Sequence, residues 1–517
     1  LAREGRIVFF TLHQPSSEIY KKLDHLLFLD EGGYPIFWGS PLAALQHFRS
    51  AAGFADSENV ECPSCRRVEP ETLFDIIQQR VLDEKGYPTE KRRVPPERWY
   101  QIFWQRFVPP KTQIELYQPQ PRPPVPPLSQ FWVFLRREGL RKLRQGLSTL
   151  ALILAAPLLA LIVGFILRYR PPDAVYTLSD NDNLPSALFV NILAMLFLGL
   201  LTPAEEILKD RKIRLREQSL HLSWGSYMHA KLFWAAFFSA IQVTLYWGVV
   251  SWILQIPNAW GATWLLLFVV AVLSNLIALN LSDTFTQPVP VYILIPILLI
   301  PQLVLSGAVI PYEKFNPALR GKRPIPILAD FSISRWAYES ALVLHYTQNP
   351  YMQSLYPLRQ EISDLRYKIL YLIPALESRQ DPRPLQQTGE ASYAALTTRL
   401  RTRLQTLQTK LIALESQLPD ALRQKYHNTA LEDLVLATHN PSKLLWIHDR
   451  PIRLYEPIFI SDPDPYYTPL AVLKKPLGPI YIYTPHYNLF VLLLMGVSLW
   501  FLLFFRVLNN LFLKGSV

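Results

Sequence analysis

The sequence STLALILAAPLLALIVGFILR (residues 148–168) decides the class of fold to which this chain belongs. It carries no charged side chain before Arg168. A helix needs about 20 apolar residues to cross a bilayer, so this stretch is long enough to span one. Five further apolar stretches follow, at 185–202, 231–256, 260–281, 289–310 and 487–508. The pattern predicts a mainly α membrane protein with six spans.

The overall composition agrees with a membrane protein. Of the 517 residues, 50% are hydrophobic and only 18% are charged, which is a low charge content for a soluble chain of this size. The formal net charge of +11 does not indicate a nucleic-acid partner, because Arg and Lys gather beside the apolar stretches. In those places they suit anionic lipid headgroups and loops retained in the cytoplasm. Membrane lipid is therefore the predicted partner of these charges, and no nucleic acid is expected.

The connecting segments predict the topology. The amphipathic stretch 131–145 and the loop 203–230 are rich in Arg and Lys, whereas the loop 171–184 carries three aspartates and no basic residue before its end. By the positive-inside rule, the two basic segments are cytoplasmic and the acidic loop is external. Counting onward along the spans, both chain ends lie in the cytoplasm and the long segment 311–486 lies outside.

The external segment contains a predicted helical hairpin at about 355–425. Two runs of apolar residues alternate steps of four and three, and the turn-rich stretch 381–390 separates them. Such runs predict two helices folded back as an antiparallel coiled hairpin. The hairpin is either a lid that packs on itself or on a dimer mate, or an arm that docks on a specific partner. The residues of the two runs are Leu358, Ile362, Leu365, Ile369 and Leu372, then Leu400, Leu404, Leu407, Leu411, Leu414 and Leu418.

The amino-terminal region, 1–108, is predicted to be the far edge of an α/β domain. The run RIVFFTL at 6–12 is typical of a buried parallel strand, and a helix starts after Pro15. Two short strands at 25–38 and a helix from Pro41 follow. We expect the earlier strands of this domain to precede residue 1 in a longer protein.

The remaining boundaries follow from composition. Residues 109–130 are proline-dense and form a stiff linker. The connecting helix and the first five spans occupy 131–310, the external domain occupies 311–486, and the last span and a cytoplasmic tail occupy 487–517. The polar residues within the spans, Asn191, Gln242, Asn275 and Asn280, are expected to form hydrogen bonds between helices.

The two cysteines, Cys62 and Cys65, form a CPSC pair. Zinc usually needs four nitrogen or sulfur ligands, and no second Cys or His pair follows at the spacing of a zinc finger. A site shared between two copies is the alternative to a loop with two reduced thiols. No metal site within one chain is predicted.

Several stretches together resemble the G-type ABC half-transporters, the white, pigment and sterol exporters and their bacterial relatives. The first is TLHQPSSEIYKKLDHLLFLDEGGYPIFWGSPLAALQHF (11–48), which resembles the switch-histidine region of an ABC ATPase. CPSCRRVEPETLFDII (62–77) resembles the family's Cys-Pro and Asn-Pro-Ala-Asp-Phe segment, with Glu69-Pro70-Glu71 in place of Asn-Pro-Ala.

The membrane half carries further likeness to the same family. EEILKDRKIRLREQSLHLSWGSYMHAKLF (205–233) resembles its coupling-helix loop, LVLSGAVIPYEKF (303–315) the end of its fifth span, and FSISRWAYESAL (331–342) its Ser-Pro-x-Arg-Tyr-Ala-x-Glu-Ala segment. The resemblance implies a six-span ABC-2/G-type membrane domain preceded by the edge of an ABC nucleotide-binding domain. It covers about two-thirds of the chain, and residues 350–480 depart from it.

The resemblance implies that His13 contacts the γ-phosphate of ATP and that Gln14 lies beside it. An imidazole can donate a hydrogen bond to a phosphate oxygen and help to position the attacking water. The sequence contains no G-x-x-x-x-G-K-[ST] phosphate loop and no strand ending in Asp-Glu before His13. ATP and Mg²⁺ are therefore expected to bind mainly to an upstream part, and this chain alone should not hydrolyse ATP.

The resemblance also implies coupling residues, a translocation path and a homodimer in a bacterial inner membrane. A path lined by apolar side chains suits a hydrophobic or amphipathic substrate, and one set of such residues encloses half a pore. The coupling residues are Glu206, Arg211, Arg216 and Glu217, in the 203–230 loop. The path residues are Phe189, Leu196, Ile300, Leu303, Ser306, Ala308 and Val309.

Three functions follow from these features. The first is the membrane subunit of an ATP-driven exporter of a lipid-like or amphipathic compound, with the 203–230 loop as the coupling element. The second is an ABC machine that transports nothing and works on an envelope partner through its external coiled hairpin. The third is an inactive membrane scaffold, which the missing nucleotide-binding motifs would suit.

Overall fold

The computed structural model describes residues 7–13, 15–54, 60, 67–107, 125–170, 175–220, 222–381, 385 and 392–513. Gln14, Cys62, Cys65 and most of the linker 109–130 lie outside the described residues. The chain divides into two compact units, Leu1–Arg122 and Pro123–Val517. We describe each unit by itself.

The first unit consists of short elements around a small aromatic core. Ile36, Phe48, Leu73 and Trp99 pack together at its centre. Its four described strands form two antiparallel pairs, each made of consecutive strands. The strands are β1 (Leu26–Leu29), β2 (Pro35–Gly39), β3 (Arg80–Leu82) and β4 (Pro88–Arg92), and the helices are α1 (Ser17–Tyr20), α2 (Pro41–Ala51), α3 (Glu71–Ile77) and α4 (Pro96–Arg106).

The first unit matches the sequence-based expectation at the hairpin and at α2, and differs at residues 6–12. The described part of that stretch forms no strand, and Ile7 and Phe9 are each 85% exposed. A parallel strand needs hydrogen-bonded neighbours on its edges. Among the described residues, no strand lies beside this stretch, which explains why an apolar run remains irregular.

The second unit begins with the membrane region. Among the described residues, five helices are long and apolar enough to cross a membrane, and the chain is an integral membrane protein. Helix α5 (Pro127–Arg144) precedes them. The five are α6 (Gly146–Leu167), α7 (Leu184–Leu201), α9 (Trp224–Ile253), α10 (Trp260–Thr284) and α19 (Thr484–Phe504), with α8 (Glu206–Arg216) between α7 and α9.

The stretch 289–310, predicted as a sixth span, folds as the shorter apolar helix α11 (Pro288–Val304). The chain leaves the helix before Gly307, whose φ is +77°. A Cβ at that position would lie 2.8 Å from the ring of Tyr312, so this turn requires glycine. With 17 residues, α11 is shorter than the other five, and a sixth crossing stays a prediction.

Helices α7 and α10 form the centre of the bundle, because most of their surface is buried, whereas α6 and α19 expose most of theirs. At Gly199 of α7 an added Cβ would lie 2.6 Å from the carbonyl oxygen of Ala271 in α10. The absence of a side chain therefore allows the two backbones to approach closely, as small residues do in other membrane bundles.

A second helical layer covers one end of the bundle. Helix α13 (Ile333–Thr347) is almost fully buried against α7, α10 and α19. The helices of this layer are α12 (Pro317–Arg320), α13, α14 (Pro350–Tyr367), α15 (Ile373–Glu377), α16 (Tyr393–Gln417), α17 (Asp420–Tyr426) and α18 (Thr429–Val435). The strands are β5 (Leu444–Ile447), β6 (Arg450–Arg453), β7 (Lys474–Leu477) and β8 (Ile480–Tyr483), and the chain ends in α20 (Val507–Leu513) after α19.

The predicted helical hairpin is present as α14 and α16, joined in part by a π-helical turn at Lys368–Leu372 and α15. The two helices run antiparallel, since Glu361 pairs with Arg403 and Arg359 pairs with Glu415 farther along α16. Most of the apolar residues predicted to meet do so, with Ile362, Leu365 and Leu407 in one cluster, whereas Leu414 and Leu418 pack against the main core. Most of the turn at 381–390 lies outside the described residues.

Candidate coupling site

The ends of three helices converge on one buried group of charges. Helix α5 is amphipathic and starts at Pro127, where a missing N–H costs nothing. Helix α9 is capped by Ser223, whose hydroxyl accepts from the N–H of Ser226 at 3.3 Å. Helix α8 lies beside both. We call the shared group of charges the ionic junction, and its members are Glu138, Arg141, Lys142, Glu206, Asp210 and Lys231.

Lys231 of α9 is at the centre of the ionic junction. Its Nζ lies 2.7 Å from Glu138 of α5, 2.8 Å from Asp210 of α8 and 3.1 Å from Glu206 of α8. The residue is only 4% exposed. The ammonium group has three N–H donors, so it holds α9 to both α5 and α8. The hydroxyl of Tyr227 donates to Asp210 at 3.0 Å and adds a further link between α9 and α8.

Arg141 of α5 contacts the same three carboxylates. Its Nη1 lies 3.3 Å from Asp210, and Nε donates to Glu138 at 2.9 Å; Glu206 accepts from both Arg141 and Lys142. Burial alone would lower the pKa of Arg141, but the carboxylates, Glu206 first, hold its pKa above the ordinary value. Three cations balance three anions in the junction. This balance makes tolerable the burial of Glu138, Asp210 and Lys231 beside three partly buried charges.

A second charged group lies at the other end of α8 and involves Asp283 at the end of α10. Arg506 donates to both carboxylate oxygens of Asp283, each at 2.9 Å, and Arg214 of α8 approaches the same carboxylate at 3.6 Å. Both guanidinium groups lie over the ring of Trp224, at 4.3 Å for Arg214 and 5.0 Å for Arg506. Helix α8 is thus attached to α5, α9, α10 and the segment after α19.

The predicted coupling residues divide between the inside and the outside of this arrangement. Glu206 belongs to the ionic junction, and Glu217 pairs with Arg137 of α5 at 3.0 Å. Arg211 donates to the carbonyl oxygen of Phe285 at 3.4 Å. Arg216 is exposed. Glu206 and Glu217 therefore hold α8 to its own chain, while Arg216 faces outward.

The outward face of α8 is partly apolar and basic. Ile213 is 46% exposed and Leu215 is 63% exposed, and Lys212 and Arg216 are exposed beside them. An exposed apolar surface flanked by charge is typical of an interaction site. This exposed surface belongs to the same helix that carries Glu206 and Asp210 of the ionic junction.

Sequence reasoning missed five members of the ionic junction, namely Glu138, Arg141, Lys142, Asp210 and Lys231. Lys231 carried a signal, because it is the only charged residue at the start of an otherwise uncharged stretch, 231–256. The others lie among many charged neighbours, so spacing alone did not separate them. Three-dimensional convergence of α5, α8 and α9 is what identifies them.

The residues predicted for the translocation path do not form one surface in a single chain. Phe189 and Leu196 are buried in the main core, with the ring of Phe189 5.5 Å from that of Tyr338. Ile300 and Val309 are 62% and 54% exposed. Leu303 and Ala308 are half-buried, and the hydroxyl of Ser306 donates to the carbonyl oxygen of Leu303 at 2.9 Å.

The polar residues of the spans form the helix-to-helix hydrogen bonds that were expected of them. Tyr246 donates to Asn191 at 3.0 Å, and Asn275 donates to Ser239 at 2.9 Å. Gln242 donates to the carbonyl oxygen of Leu152 at 2.9 Å. Asn280 donates to the carbonyl oxygen of Leu499 at 3.1 Å. These groups hold the bundle together.

His13 is exposed in the first unit, and Gln14 lies outside the described residues. An ATP site requires a cradle of backbone N–H groups and a lysine, and the sequence has no phosphate loop to supply them. The residues present therefore do not by themselves fit ATP and Mg²⁺. Among the described residues, no group of three His, Cys, Asp or Glu side chains is arranged to hold a metal ion.

One clasp fastens the second helical layer to the bundle, and a second joins the helical hairpin to α18 within that layer. Asn428 donates to the carbonyl oxygens of Leu178 at 2.7 Å and Asn181 at 2.9 Å, in the segment between α6 and α7. Arg359 of α14 pairs with Glu415 of α16 at 2.8 Å and also with Glu432 of α18. The helical hairpin is therefore attached through α18 to the start of α7.

A third contact ties β7 to α13 and α19. Lys475 of β7 pairs with Glu339 of α13 and donates to Asn488 of α19 at 3.0 Å. Asn488 in turn donates to Glu339 at 3.1 Å. All three side chains are buried. Burial first, and then the charge of Arg335, lowers the pKa of Lys475 to about 7.

Comparison with known proteins agrees with this architecture. Residues 129–345 match the family model described as ABC-2 type transporter, the membrane domain of that class. The matched range contains α5, α8 and α9, which carry the ionic junction. This chain contains an ABC-2 type membrane domain. The match ends at 345, so the helical hairpin of α14 and α16 lies beyond it.

The ABC-2 type domain is distantly similar to G-family ABC transporters. ABC transporter G family member 14 of Arabidopsis thaliana is 45% identical over 60 residues, which is 12% of this chain and 9% of the relative. ABC transporter G family member 1 of Dictyostelium discoideum is 36% identical over 85 residues, 16% of this chain and 10% of the relative. ABC transporter G family member 45 of Oryza sativa subsp. japonica is 30% identical over 120 residues, 18% of this chain and 9% of the relative. The chain therefore aligns with about a tenth of the length of each.

Proposed function

We propose that this membrane component of an ABC-2 type transporter exports a lipid-like or amphipathic compound, driven by ATP hydrolysis at a nucleotide-binding domain. The observation that carries the proposal is the attachment of α8 to α5 and α9 through the ionic junction and to α10 through Asp283, which also binds Arg506. A helix held in this way passes a displacement to the spans instead of bending away from them.

In the proposed mechanism, the nucleotide-binding domain docks on the outward face of α8, at Ile213, Leu215 and Arg216. Closure of two such domains displaces α8. Separating these helices would break buried ion pairs, and losing one partner of such a pair costs about 3–5 kcal/mol. Helices α5, α8 and α9 therefore move as one body. The spans then alternate between inward-facing and outward-facing arrangements.

The nucleotide chemistry belongs to the domain of which His13 and Gln14 would be part. When bound there, ATP with Mg²⁺ supplies the hydrolysable phosphoryl group, and catalysis of its transfer is mainly electrostatic. His13 is proposed to hydrogen-bond the γ-phosphate, with Gln14 beside it. Neither role is available to this chain without the phosphate-binding elements that its sequence lacks.

The translocation path is proposed to form between two copies of the chain. Helix α11 exposes an apolar face that includes Ile293, Ile297 and Ile300, and such a face is a candidate lining for half a pore. Leu303 lies in the last turn of α11, and Ser306, Ala308 and Val309 follow that helix. Phe189 and Leu196 are proposed to support it from within the core. A pore of this composition would accept hydrophobic or amphipathic cargo.

The proposed topology places the ionic junction on the cytoplasmic side of a bacterial inner membrane. The basic residues of 131–145 and 203–230 support this orientation through the positive-inside rule. The second helical layer then lies outside the membrane, in the periplasm. Both chain ends are proposed to be cytoplasmic.

The coupling role is tested by Arg216→Glu in the full-length protein, reconstituted in vesicles with its nucleotide-binding domain. We expect basal ATP hydrolysis to persist and both its stimulation by substrate and efflux to be largely lost, because the reversed charge weakens docking on α8. Lys425→Glu, at an exposed lysine of α17, is the matched control and should leave efflux unchanged. Unaltered efflux in Arg216→Glu would refute the docking face.

The catalytic assignment is tested separately by His13→Ala in the same preparation. A strong loss of ATP turnover is expected, since the side chain is proposed to contact the γ-phosphate. Asn substitution, which keeps a hydrogen-bond donor, should retain more turnover than Ala. Wild-type turnover in His13→Ala would show that this histidine has another role.

A second candidate function is an ABC machine that transports nothing and acts on an envelope partner through α14 and α16. The attachment of this hairpin to the bundle by Asn428 and Arg359 supports it, because motion of the spans would reach the hairpin. Replacement of 393–417 by a short Gly-Ser linker separates the two functions. If the variant still shows efflux, the exporter is favoured. If the wild type shows no efflux and the variant loses its activity on the partner, the machine is favoured.

A further inference from the structure

The hairpin of β7 and β8 presents an apolar tip that is largely exposed. Leu477 and Ile480 flank the two-residue turn at Gly478 and Pro479, and they are 46% and 63% exposed. No charge lies between Lys475 and His486. A tip of this kind in water would expose apolar area without compensation.

A second hairpin in the same layer provides an internal comparison. Strands β5 and β6 also have four residues each and also join through two residues, but those residues are His448 and Asp449. Ile447 at its end is buried, and Arg450 on the other strand is exposed. Two hairpins of equal size thus differ in the chemistry of their tips. The apolar tip of β7–β8 is not a requirement of the turn.

The register shows which face of β7–β8 carries the apolar tip. Lys475 pairs with Ile482 and Leu477 pairs with Ile480, so these four side chains share one face. At the base of that face, Lys475 is buried against Glu339 and Asn488. The base of the face is therefore directed at α13 and α19, and its tip extends beyond the protein that covers Lys475.

The base of the hairpin is continuous with a membrane helix. The N–H of Thr484, the first residue of α19, donates to the carbonyl oxygen of Leu473 at 2.9 Å. Along α19, Phe490, Leu493 and Leu494 are about half exposed, which is the expected character of a lipid-facing surface. Along the chain, the apolar tip precedes Thr484 and the exposed surface of α19 follows it, so both lie close to the beginning of this span.

We propose that the tip of β7–β8, through Leu477 and Ile480, inserts into the interfacial region of the lipid bilayer beside α19. The occupant of this face is lipid because the hairpin leads directly into a span and because Tyr481, with an apolar body and a polar hydroxyl, suits the headgroup level. Lys475 fixes the angle of the hairpin by its contacts with α13 and α19. The inference does not depend on which compound is exported.

The test uses site-specific labelling of the full-length protein in phosphatidylcholine vesicles. Cys62 and Cys65 are first replaced by Ser, and Ile480→Cys then carries an environment-sensitive fluorophore. Asp449→Cys, at the tip of β5–β6, is the matched control. Brominated phospholipid should quench the label at 480 several-fold more than the label at 449, and aqueous iodide should show the reverse order.

Two results would overturn the proposal. Equal iodide quenching at 480 and 449 would place the apolar tip in water. Protection of the 480 label from both quenchers would place it against protein, such as a second copy of the chain. Leu477→Cys lies opposite Ile480 on the same face and repeats the measurement if Ile480→Cys does not assemble.

Discussion

The ammonium group of Lys231 lies 2.7 Å from the carboxylate of Glu138, and this contact joins α9 to the helix that precedes the first long apolar segment. The same ammonium reaches two carboxylates of α8. Neither α5 nor α9 can move far from α8 without separating buried charges. The ionic junction is therefore the part of the ABC-2 type domain where a mutation should disturb several helices at once.

Replacing Lys231 by Met should destabilise the protein strongly. It leaves three buried carboxylates with two cations, and removing one partner of a buried ion pair costs about 3–5 kcal/mol. We expect a lower Tm for the detergent-solubilised full-length protein. The double variant Lys231→Met/Glu138→Gln should recover part of the loss because it restores the balance of charge.

The control for this prediction is Lys209→Met. Lys209 is 57% exposed and pairs with Glu205 four residues earlier on the surface, where ion pairs contribute about 0–1 kcal/mol. The Tm of the Lys209→Met variant should stay close to that of the wild type. Equal Tm values for Lys231→Met and Lys209→Met would show that the ionic junction does not stabilise the bundle.

Gly199→Ala should loosen the packing of α7 on α10. The new methyl group would lie 2.6 Å from the carbonyl oxygen of Ala271, so the helices must separate, and such overpacking costs about 1–3 kcal/mol. Thermal unfolding measures the loss. Gly248→Ala in α9 is the matched control, because nothing lies within 4 Å of the added Cβ. If both variants unfold at the same temperature, the close approach is not a determinant of stability.

Asn428→Ala should release the second helical layer from the segment between α6 and α7. It removes two hydrogen bonds to the carbonyl oxygens of Leu178 and Asn181, each bond worth about 0.5–1.5 kcal/mol. We expect faster amide hydrogen exchange in peptides covering α18 and residues 175–183. Gln424→Ala, at an exposed side chain of α17, should leave exchange unchanged. Unchanged exchange in Asn428→Ala would contradict the role of this clasp.

Acidification should destabilise the second helical layer through His427. Burial first, and then the charge of Arg359, lowers the pKa of His427 to about 4, although Glu432 lies 3.1 Å from its Nε2. Between the ordinary pKa of about 6.5 and about 4, the unfolded chain takes up a proton that the folded chain excludes. Stability therefore falls as the pH drops through this window, by at most about 1.4 kcal/mol per pH unit.

The pH effect is measured by thermal unfolding of the full-length protein at pH 7 and pH 5. His427→Gln removes the titrating group and should reduce the difference between the two pH values. His439→Gln, at an exposed histidine of the same layer, should keep the wild-type difference. The same pH dependence in all three proteins would assign the acid sensitivity to other groups.

The sequence predicted elements whose signal is local. The apolar stretches near 148–168 and 260–281 appear as α6 and α10, because length and lack of charge alone specify a membrane helix. The leucine runs appear as α14 and α16, with Leu365 and Leu407 in contact as expected. The six-span count, the dimer and the role of His13 stay predictions.

Features that depend on distant partners could not be predicted. Glu206 was selected as a coupling residue from family resemblance, yet its three cationic contacts come from α5 and α9, at distant positions in the sequence. The run at 6–12 has the composition of a strand but lacks a described neighbour to pair with. The end of α11 depends on the ring of Tyr312 packing over Gly307, which no local pattern reveals.

The clasp at Asn428 has one more consequence. Its amide binds backbone carbonyl oxygens, which every amino acid carries, and the side chains of Leu178 and Asn181 are not its acceptors. This contact of the second helical layer therefore depends on the course of the loop backbone and not on the side chains of the two acceptor residues. Substitutions that preserve the course of this backbone would leave both hydrogen bonds in place.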